Sequence, residues 1–244
     1  QPTAISHEPT ATSHQPSTNC LLILSPRHIP AAVNSLARLP IDQLWLRAMK
    51  EPQLVAPLNR FIRSTAYKNY LLIADDVLVA EHALRLVEQA LIDNEAATGY
   101  CRMHHGSPWY NVSHSPLTAR PGQFDDLEDY HFYRVEEIHR RPQRVFPTFF
   151  GGWCLTGWRR DLWLDVPFRV NPTTGDVSDY QTCLALNRLL VCPKAAYVDH
   201  LRPNAGPAVS RHWLFDRQSP HLIYRRFDRD THAHTAPLPE PLDD

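Results

Sequence analysis

Two adjacent carboxylates give the sequence its clearest chemical signal. Asp75 and Asp76 directly follow the apolar run Tyr70–Ala74. Because like charges a few ångströms apart raise each other's pKa, such a pair at the end of a buried segment is costly unless something neutralises it. A divalent cation does so, and carboxylate oxygens favour Mg²⁺ or Mn²⁺, which keep positions open for diphosphate oxygens. The structural alternative is a turn or helix-capping pair that precedes a helix beginning at residue 81.

Asp179 and His200 are the other candidate functional residues. Ser178 and Gln181 form a capping-box pattern around Asp179, so this carboxylate has a structural explanation at a helix start. It also stands beside a glycine-containing loop, where a carboxylate could face a substrate as a general base. His200 ends a short strand-like segment, and a lone histidine there is more often a hydrogen-bonded structural residue than a metal ligand.

The elements that must position these residues alternate between strand-like and helical patterns. Strands are predicted at 20–24, 43–46, 70–74, 96–101 and 195–199, and helices at 29–37, 54–62, 81–92 and 179–190. Short connections between such repeats predict an α/β fold with a mostly parallel central sheet flanked by helices. Ligands of such sheets collect at the carboxyl ends of the strands, where Ser25, Arg47, Asp75 and Asp76 would lie.

Four segments of the chain occur in an order that is typical of one enzyme family. They are Leu71–Val79, Phe150–Gly157, Val177–Gln181 and Val198–Leu201. Through them the chain, over residues 20–202, resembles the nucleotide-diphospho-sugar glycosyltransferases of the GT-A fold, in particular the family-two type. The sequence departs from that family in having Asp-Asp-Val in place of a full Asp-X-Asp, and Ser178 where Glu usually precedes the base. The region before Asp75 is also short enough to lack one strand-helix unit.

The resemblance implies a role for each segment. It assigns Asp75 and Asp76 to the metal and the sugar nucleotide, with Asp76 preferred as the metal ligand, His200 to the metal, Asp179 to the general base, and Gly152 and Trp153 to the acceptor side. Ser25 and Arg47 are expected to bind the sugar nucleotide because they follow strands at the same edge. Stacking on a sugar is assigned to Trp153 alone, since the aromatic run that also holds Trp158 and Trp163 suits a protein core equally well.

The implied reaction is metal-dependent, inverting sugar transfer. A Mn²⁺ or Mg²⁺ ion would neutralise the diphosphate leaving group while Asp179 removes a proton from an acceptor hydroxyl that attacks the opposite face of the sugar. The acceptor is expected to be a glycan or a hydroxylated DNA base, and the short chain suits an enzyme of viral or phage type.

Two basic clusters bear on the acceptor. The clusters are Arg134, His139, Arg140, Arg141 and Arg144, and Arg211, Arg217, Arg225, Arg226 and Arg229. Such charges usually form a solvated face; alternatively one cluster grips the donor diphosphate and the other an anionic acceptor. With 25 basic and 26 acidic residues the net charge is −1, which disfavours a protein that coats DNA.

Two other function classes stay open on the sequence. A metal-dependent nucleotidyltransferase or phosphohydrolase could use Asp75 and Asp76, although the sequence has no glycine-rich phosphate loop. A non-catalytic module that binds sugar nucleotides or nucleic acid is the third class.

The remaining expectations concern the boundaries and surroundings of the domain. Residues 1–19 and 231–244 are rich in Pro, Thr, Ser or His and are predicted to be flexible tails around a single catalytic domain at 20–230. Residues 102–145 are predicted to form an irregular functional loop. Five scattered cysteines suggest reduced thiols, and no apolar run reaches the length of a membrane span, so a cytoplasmic location, or the host cytoplasm for a viral protein, is expected.

Overall fold

The described part of the chain contains six α-helices, one short 3-10 helix (Glu51–Leu54) and thirteen strands. In this computed structural model it comprises residues 18–24, 29–47, 51–103, 106–116, 131–170, 179–201, 221–228 and 232–236. The helices are α1 (Pro30–Ala37), α2 (Val55–Ser64), α3 (Glu81–Asp93), α4 (Val135–Arg140), α5 (Arg160–Asp165) and α6 (Asp179–Leu186). The strands are β1 (Asn19–Leu24), β2 (Asp42–Arg47), β3 (Asn69–Ala74), β4 (Val77–Leu78), β5 (Ala96–Thr98), β6 (Trp109–Ser113), β7 (Phe132–Arg134), β8 (Val145–Thr148), β9 (Cys154–Arg159), β10 (Leu190–Pro193), β11 (Asp199–His200), β12 (His221–Asp228) and β13 (His232–Ala236).

Nine of the described strands form one sheet. Their order is β13-β12-β2-β1-β3-β9-β5-β10-β8, so β3 lies at the centre. β1 is parallel to β2 and β3, and β10 is parallel to β5, whereas β9 runs antiparallel between β3 and β5. The fold is therefore α/β with a large central sheet flanked by helices, as predicted. The sheet was expected to be mostly parallel, but it is mixed, since β8, β9, β12 and β13 all pair antiparallel with their neighbours.

Hydrophobic cores cover both faces of this sheet. In β1 every residue is buried, and alternate side chains enter opposite cores, Leu22 on one face and Leu21 on the other. Helices α2, α5 and α6 pack on the Leu22 face, and α1 and α3 on the Leu21 face. Burial on both sides explains why β1 and β3 are continuous apolar runs instead of alternating ones.

The strand register brings three strand ends to one edge. Leu24 of β1 is level with both Leu46 of β2 and Ala74 of β3. We call the region that follows these three residues the carboxyl edge. Arg47, whose backbone ends β2, lies there; Ser25 and the side chain of Arg47 are outside the described residues.

The segment 102–145, predicted to be an irregular loop, contains regular structure. β6 pairs with β7, and α4 follows β7 directly. Tyr110, Tyr133 and Ile138 from these elements pack with Phe146 in a third buried cluster. The strands are short and flanked by polar residues, so their periodicity is weak, and burial of the aromatic rings supplies the missing driving force. Residues 104–105 and 117–130 lie outside the described residues.

The end of the chain also differs from the prediction. Residues 232–236, expected within a flexible tail, form β13, which pairs antiparallel with β12. β12 in turn pairs antiparallel with β2. Together β12 and β13 extend the sheet by two strands beyond β2. Backbone hydrogen bonds alone can hold an edge strand, so a polar composition does not exclude one. Residues 1–17 and 237–244 lie outside the described ranges.

A buried polar network fastens β12 to the sheet. The Asp42 carboxylate, 3% exposed, accepts hydrogen bonds from the Tyr67 hydroxyl at 2.6 Å and from the Phe227 N–H at 2.8 Å. The Tyr67 hydroxyl also hydrogen-bonds to the hydroxyl of Tyr224. The network therefore joins β2, β12 and the turn before β3.

Buried tyrosines make the stability of this protein sensitive to high pH. Burial raises the pKa of Tyr70 to about 12 and the pKa of Tyr67 and Tyr224 above the ordinary value of tyrosine. Since a raised folded-state pKa favours the neutral form, this stability is complete below about pH 10, the pKa of an unfolded tyrosine, and decreases as the pH rises toward the folded-state values. We expect the free energy of unfolding to fall above pH 10 by about 1 kcal/mol per pH unit for each such tyrosine.

Urea unfolding at fixed pH values between 8 and 11 measures this slope. Between pH 10 and 11 the free energy of unfolding of Tyr70→Phe should fall less steeply with pH than that of the wild type. Tyrosinate absorbance that develops fully near pH 10 with the fold intact would contradict the prediction.

None of the described helices is both long and apolar enough to cross a membrane. All five cysteines are buried and none forms a disulfide.

Candidate functional site

Asp76 and His200 meet at the carboxyl edge. Asp75 and Asp76 form the turn between β3 and β4. β11 pairs antiparallel with β4 and sets His200 opposite Val77. The Leu201 N–H donates a hydrogen bond of 2.6 Å to the Asp76 carbonyl and holds the end of β11 against the turn. Residues that are 124 positions apart in sequence thus share one site.

The two side chains are in direct contact and shielded from solvent. His200 Nε2 lies 3.0 Å from Asp76 Oδ2, and the His200 and Asp76 side chains are 16% and 4% exposed. Asp75 is fully buried beside them. His200 Nδ1 is buried and hydrogen-bonds to none of the described residues. The turn therefore brings the Asp76 carboxylate and the His200 imidazole together in a region shielded from solvent, directly after the buried Asp75.

The residues of this pair fit a divalent metal. Two ligand atoms placed at right angles about 2.1 Å from an octahedral ion lie about 3 Å apart, which matches the distance between His200 Nε2 and Asp76 Oδ2. Within the described ranges no group of three or more His, Cys, Asp or Glu side chains converges. Two protein ligands suit Mg²⁺ or Mn²⁺, which complete their coordination with water and phosphate oxygens.

The segment Gly151–Trp153 lies directly against the end of β3. The Trp153 carbonyl accepts a hydrogen bond of 2.7 Å from the N–H of Ala74, the residue before Asp75. The Gly152 carbonyl accepts one of 2.5 Å from the Thr156 hydroxyl. The sequence assigns Gly152 and Trp153 to the acceptor side of the site; the backbone contact places Trp153 beside Ala74, and the binding role stays a prediction.

Strained backbone follows this segment. Leu155 has a φ of +73°, which is uncommon for any residue other than glycine. The pairing of β9 with β3 shifts register here, because Ile73 faces Cys154 while Leu72 faces Thr156. Leu155 is thus the extra residue of a bulge, a feature that ends regular pairing next to functional sites. No sequence pattern indicated it.

The tryptophans contribute mainly to the core. Trp153 is 9% exposed and Trp158 and Trp163 are each 1% exposed. Trp158 and Trp163 pack edge to face with ring centroids 4.9 Å apart. The stacking role predicted for Trp153 is therefore not supported by its exposure. What Trp153 provides at the carboxyl edge is its backbone carbonyl.

Helix α6 is attached to the same segment. Asp179 is its first residue, and Cys183, one turn further on, donates a hydrogen bond of 3.3 Å from Sγ to the Gly151 carbonyl. The helix ends at Leu186, four residues earlier than predicted, because Asn187 takes a left-handed φ of +44°. Ser178 and the side chain of Asp179 lie outside the described residues.

A cavity that the sequence did not reveal opens beside His200. We call it the tyrosine cavity. It has a volume of about 550 Å³ and is lined by Tyr100, Arg102, Gly106, Tyr110, His139, Tyr197, Asp199 and His200. Sequence reasoning put His139 in a basic cluster and singled out none of the tyrosines. One feature of the sequence could have indicated this cavity. Tyr100 and Arg102 follow β5 directly, and ligands bind at the carboxyl ends of parallel strands.

Gly151 leaves no room for a side chain. A Cβ added there would lie 2.5 Å from Thr98 Oγ1 and 2.8 Å from Thr156 Oγ1. Since both threonines are buried and hydrogen-bonded to each other, we expect Gly151→Ala to lower the free energy of unfolding by about 1 to 3 kcal/mol. Urea unfolding measures this. A change below about 0.5 kcal/mol, the usual range for surface substitutions, would show that the segment relaxes freely.

Comparisons with known proteins leave the family of this chain open. No known family model matches the sequence, and no curated protein matches it. Among solved structures, the crystal structure of A197 from STIV is similar to this chain over 89% of each chain, with 13% sequence identity and a TM-score of 0.44. These values are too low to assign the chain to a family.

Proposed function

We propose that this chain is a metal-dependent, inverting glycosyltransferase of the GT-A fold, which moves a sugar from a nucleotide-diphosphate donor to an acceptor hydroxyl. The observation that carries the proposal is the contact between Asp76 and His200 at the end of the central strand β3. A buried carboxylate and a partly buried imidazole, supplied by distant parts of the chain, form a donor pair that suits a metal bound to a diphosphate.

The arrangement of the other segments supports the proposal. Trp153 hydrogen-bonds to the end of β3, and Cys183 of α6 hydrogen-bonds to Gly151. The first, second and fourth of the segments that resemble the glycosyltransferase family are therefore in contact, and α6, whose first residue belongs to the third, is hydrogen-bonded to the second through Cys183. A turn that merely capped α3 would not require His200 at its side.

In the proposed reaction each group has a separate task. Asp76 and His200 would hold Mn²⁺ or Mg²⁺, whose charge stabilises the diphosphate leaving group. Ser25 and Arg47 would contact the nucleotide sugar at the carboxyl edge, whereas Asp75, which is fully buried, would act on it through its charge beside Asp76. The burial of the Asp75–Asp76 turn excludes water, which strengthens these electrostatic contacts and limits hydrolysis of the donor.

Asp179 would act as the general base. By accepting the proton of the acceptor hydroxyl as that oxygen attacks, it would direct displacement from the face opposite the diphosphate and so invert the anomeric carbon. Its position as the first residue of α6, a helix fastened to Gly151, gives the base a fixed anchor.

A thermal-shift panel tests the donor site. Nucleoside diphosphates and nucleotide sugars are added to the wild type with and without Mn²⁺. At a concentration about 100 times Kd we expect a metal-dependent rise in Tm of roughly 5 to 10 °C. If no diphosphate produced a metal-dependent shift, the proposal would be wrong.

Asp179→Asn separates the base from a simple helix cap. With the nucleotide sugar identified by the panel, we expect this variant to keep the metal-dependent shift and to lose transfer, by about 100- to 10,000-fold, the range attributed to general base catalysis. Unchanged transfer would leave Asp179 with a capping role only.

A further inference from the structure

The tyrosine cavity opens directly beside the proposed metal pair, since His200 belongs to both. We infer that this cavity is the acceptor site and that the acceptor it takes is an uncharged sugar ring. The inference rests on the proposed function and narrows its acceptor from a glycan or a modified DNA base to a glycan.

The walls of the cavity are held in place by backbone hydrogen bonds. The Tyr100 N–H donates to the Ala196 carbonyl at 3.1 Å, and the Val198 N–H donates to the Tyr100 carbonyl at 2.9 Å. On the other side Arg102 forms a bridge with Tyr110 of β6. Three separate parts of the chain thus form a wall that is joined by backbone contacts in the absence of a ligand, and such a preformed wall lowers the cost of binding.

The side chains of this wall combine aromatic and hydrogen-bonding surfaces. Tyr100 and Tyr110 pack edge to face with centroids 4.9 Å apart, and Tyr197 packs against both while remaining partly exposed. Burial raises the pKa of Tyr110 and Tyr197, so their hydroxyls stay protonated near neutral pH. A sugar ring presents apolar C–H faces and a rim of hydroxyls. The aromatic rings of this wall can pack against the C–H faces, and its tyrosine hydroxyls can hydrogen-bond to the sugar hydroxyls.

The charges of the cavity favour a neutral ligand. Among the described lining residues Arg102 is the only arginine or lysine and Asp199 the only carboxylate, so these two side chains contribute opposite charges. A nucleic acid strand needs several cationic side chains along its phosphates. The Asp199 carboxylate would repel those phosphates. A sugar can accept hydrogen bonds from an arginine and donate them to a carboxylate.

Three basic side chains close to the cavity make contacts outside it. The guanidinium of Arg134 lies over the Trp109 ring at 4.5 Å, and that of Arg141 over the Tyr133 ring at 4.8 Å. Lys194 Nζ donates to the carbonyls of His139 and Arg141. None of these three cations lines the tyrosine cavity, whose volume of about 550 Å³ is in the range of small-molecule sites.

Ligand-observed saturation-transfer NMR tests this inference. The probes are the methyl α-glycosides of glucose, galactose, mannose and N-acetylglucosamine, and a single-stranded DNA oligonucleotide. Each is added to the full chain with Mg²⁺, which unlike paramagnetic Mn²⁺ does not broaden the ligand signals, and with the nucleoside diphosphate that gives the largest thermal shift. We expect at least one glycoside to bind, with affinity reduced tenfold or more in both Arg102→Ala and Asp199→Asn.

Arg38→Ala is the matched control. Arg38 is an exposed arginine that lines a separate cavity of about 390 Å³ beside α1, so its removal should leave glycoside binding unchanged. Retention of the metal-dependent nucleotide shift in each variant shows that the fold and the donor site are intact.

The possible outcomes separate the inference from the proposed function. A normal nucleotide shift without glycoside binding, glycoside binding that survives both cavity substitutions, or binding of the oligonucleotide that depends on Arg102 would overturn the inference alone. Absence of any metal-dependent nucleotide shift in the wild type would overturn the proposed function and the inference with it.

Discussion

Replacing Asp76 with asparagine will abolish the Mn²⁺-dependent stabilisation by nucleoside diphosphates and reduce sugar transfer by roughly a thousandfold, equivalent to about 4 kcal/mol of activation free energy. The amide keeps the shape of the side chain but loses the negative charge that would hold the metal. Because Asp76 is buried and its carboxylate touches His200, no nearby solvent-exposed group can take its place at that point.

The difference in Tm with and without Mn²⁺ is the appropriate readout. It cancels any general change in stability that the substitution causes. Asp165→Asn, at the exposed end of α5, is the matched control and should behave as the wild type. His200→Gln should show the same loss as Asp76→Asn, which protects the test against misfolding of one variant. If both variants kept the metal-dependent shift, the two residues would not form the metal site.

Replacing Asp42 with alanine will lower the free energy of unfolding by about 3 to 5 kcal/mol, since two hydrogen bonds to a charged group contribute about 1.5 to 3 kcal/mol each. The substitution leaves the buried Phe227 N–H without its acceptor and removes one of the two contacts of the Tyr67 hydroxyl. Because Phe227 lies in β12, the loss also weakens the attachment of β12 to β2.

Urea unfolding of a small variant series measures this effect. Tyr67→Phe removes only the hydroxyl and should cost about 1.5 to 3 kcal/mol. Tyr133→Phe is the matched control: its hydroxyl donates to the neutral carbonyl of Pro147, so its loss should cost about 1 kcal/mol. Equal effects of Tyr67→Phe and Tyr133→Phe would show that the charge of Asp42 adds nothing.

The alternation of strands and helices could be predicted because each element carries its own local pattern. β1 and β3 are buried on both faces and so read as continuous apolar runs. α3 presents Leu84, Val87 and Leu91 on one face, the spacing of an amphipathic helix. Parallel strands then bring their carboxyl ends to one edge, which is why Asp75 and Asp76 were expected at the sheet's ligand-binding side.

Where the observed strands differ from the predicted ones, the local sequence pattern is weak or absent. β13 is held by main-chain pairing with β12, which any side chain permits. β6 and β7 are short and depend on burial of aromatic rings against Tyr100 and Phe146 for their stability. The region 96–101, expected as one strand, is paired in the sheet as β5 only to Thr98, because the chain then turns to meet Tyr197.

The sequence by itself determined the fold class, the position of the acidic turn and the order of the segments around it, because these depend on apolar periodicity and on neighbours along the chain. Only the tertiary structure decided that Asp76 lies 3.0 Å from His200, that Leu155 takes a left-handed conformation, and that tyrosines from three segments enclose a cavity. Those features arise from contacts between residues far apart in sequence. The free energies of these contacts depend on distances and burial in the folded chain. Neither quantity produces a periodic pattern in the amino-acid sequence.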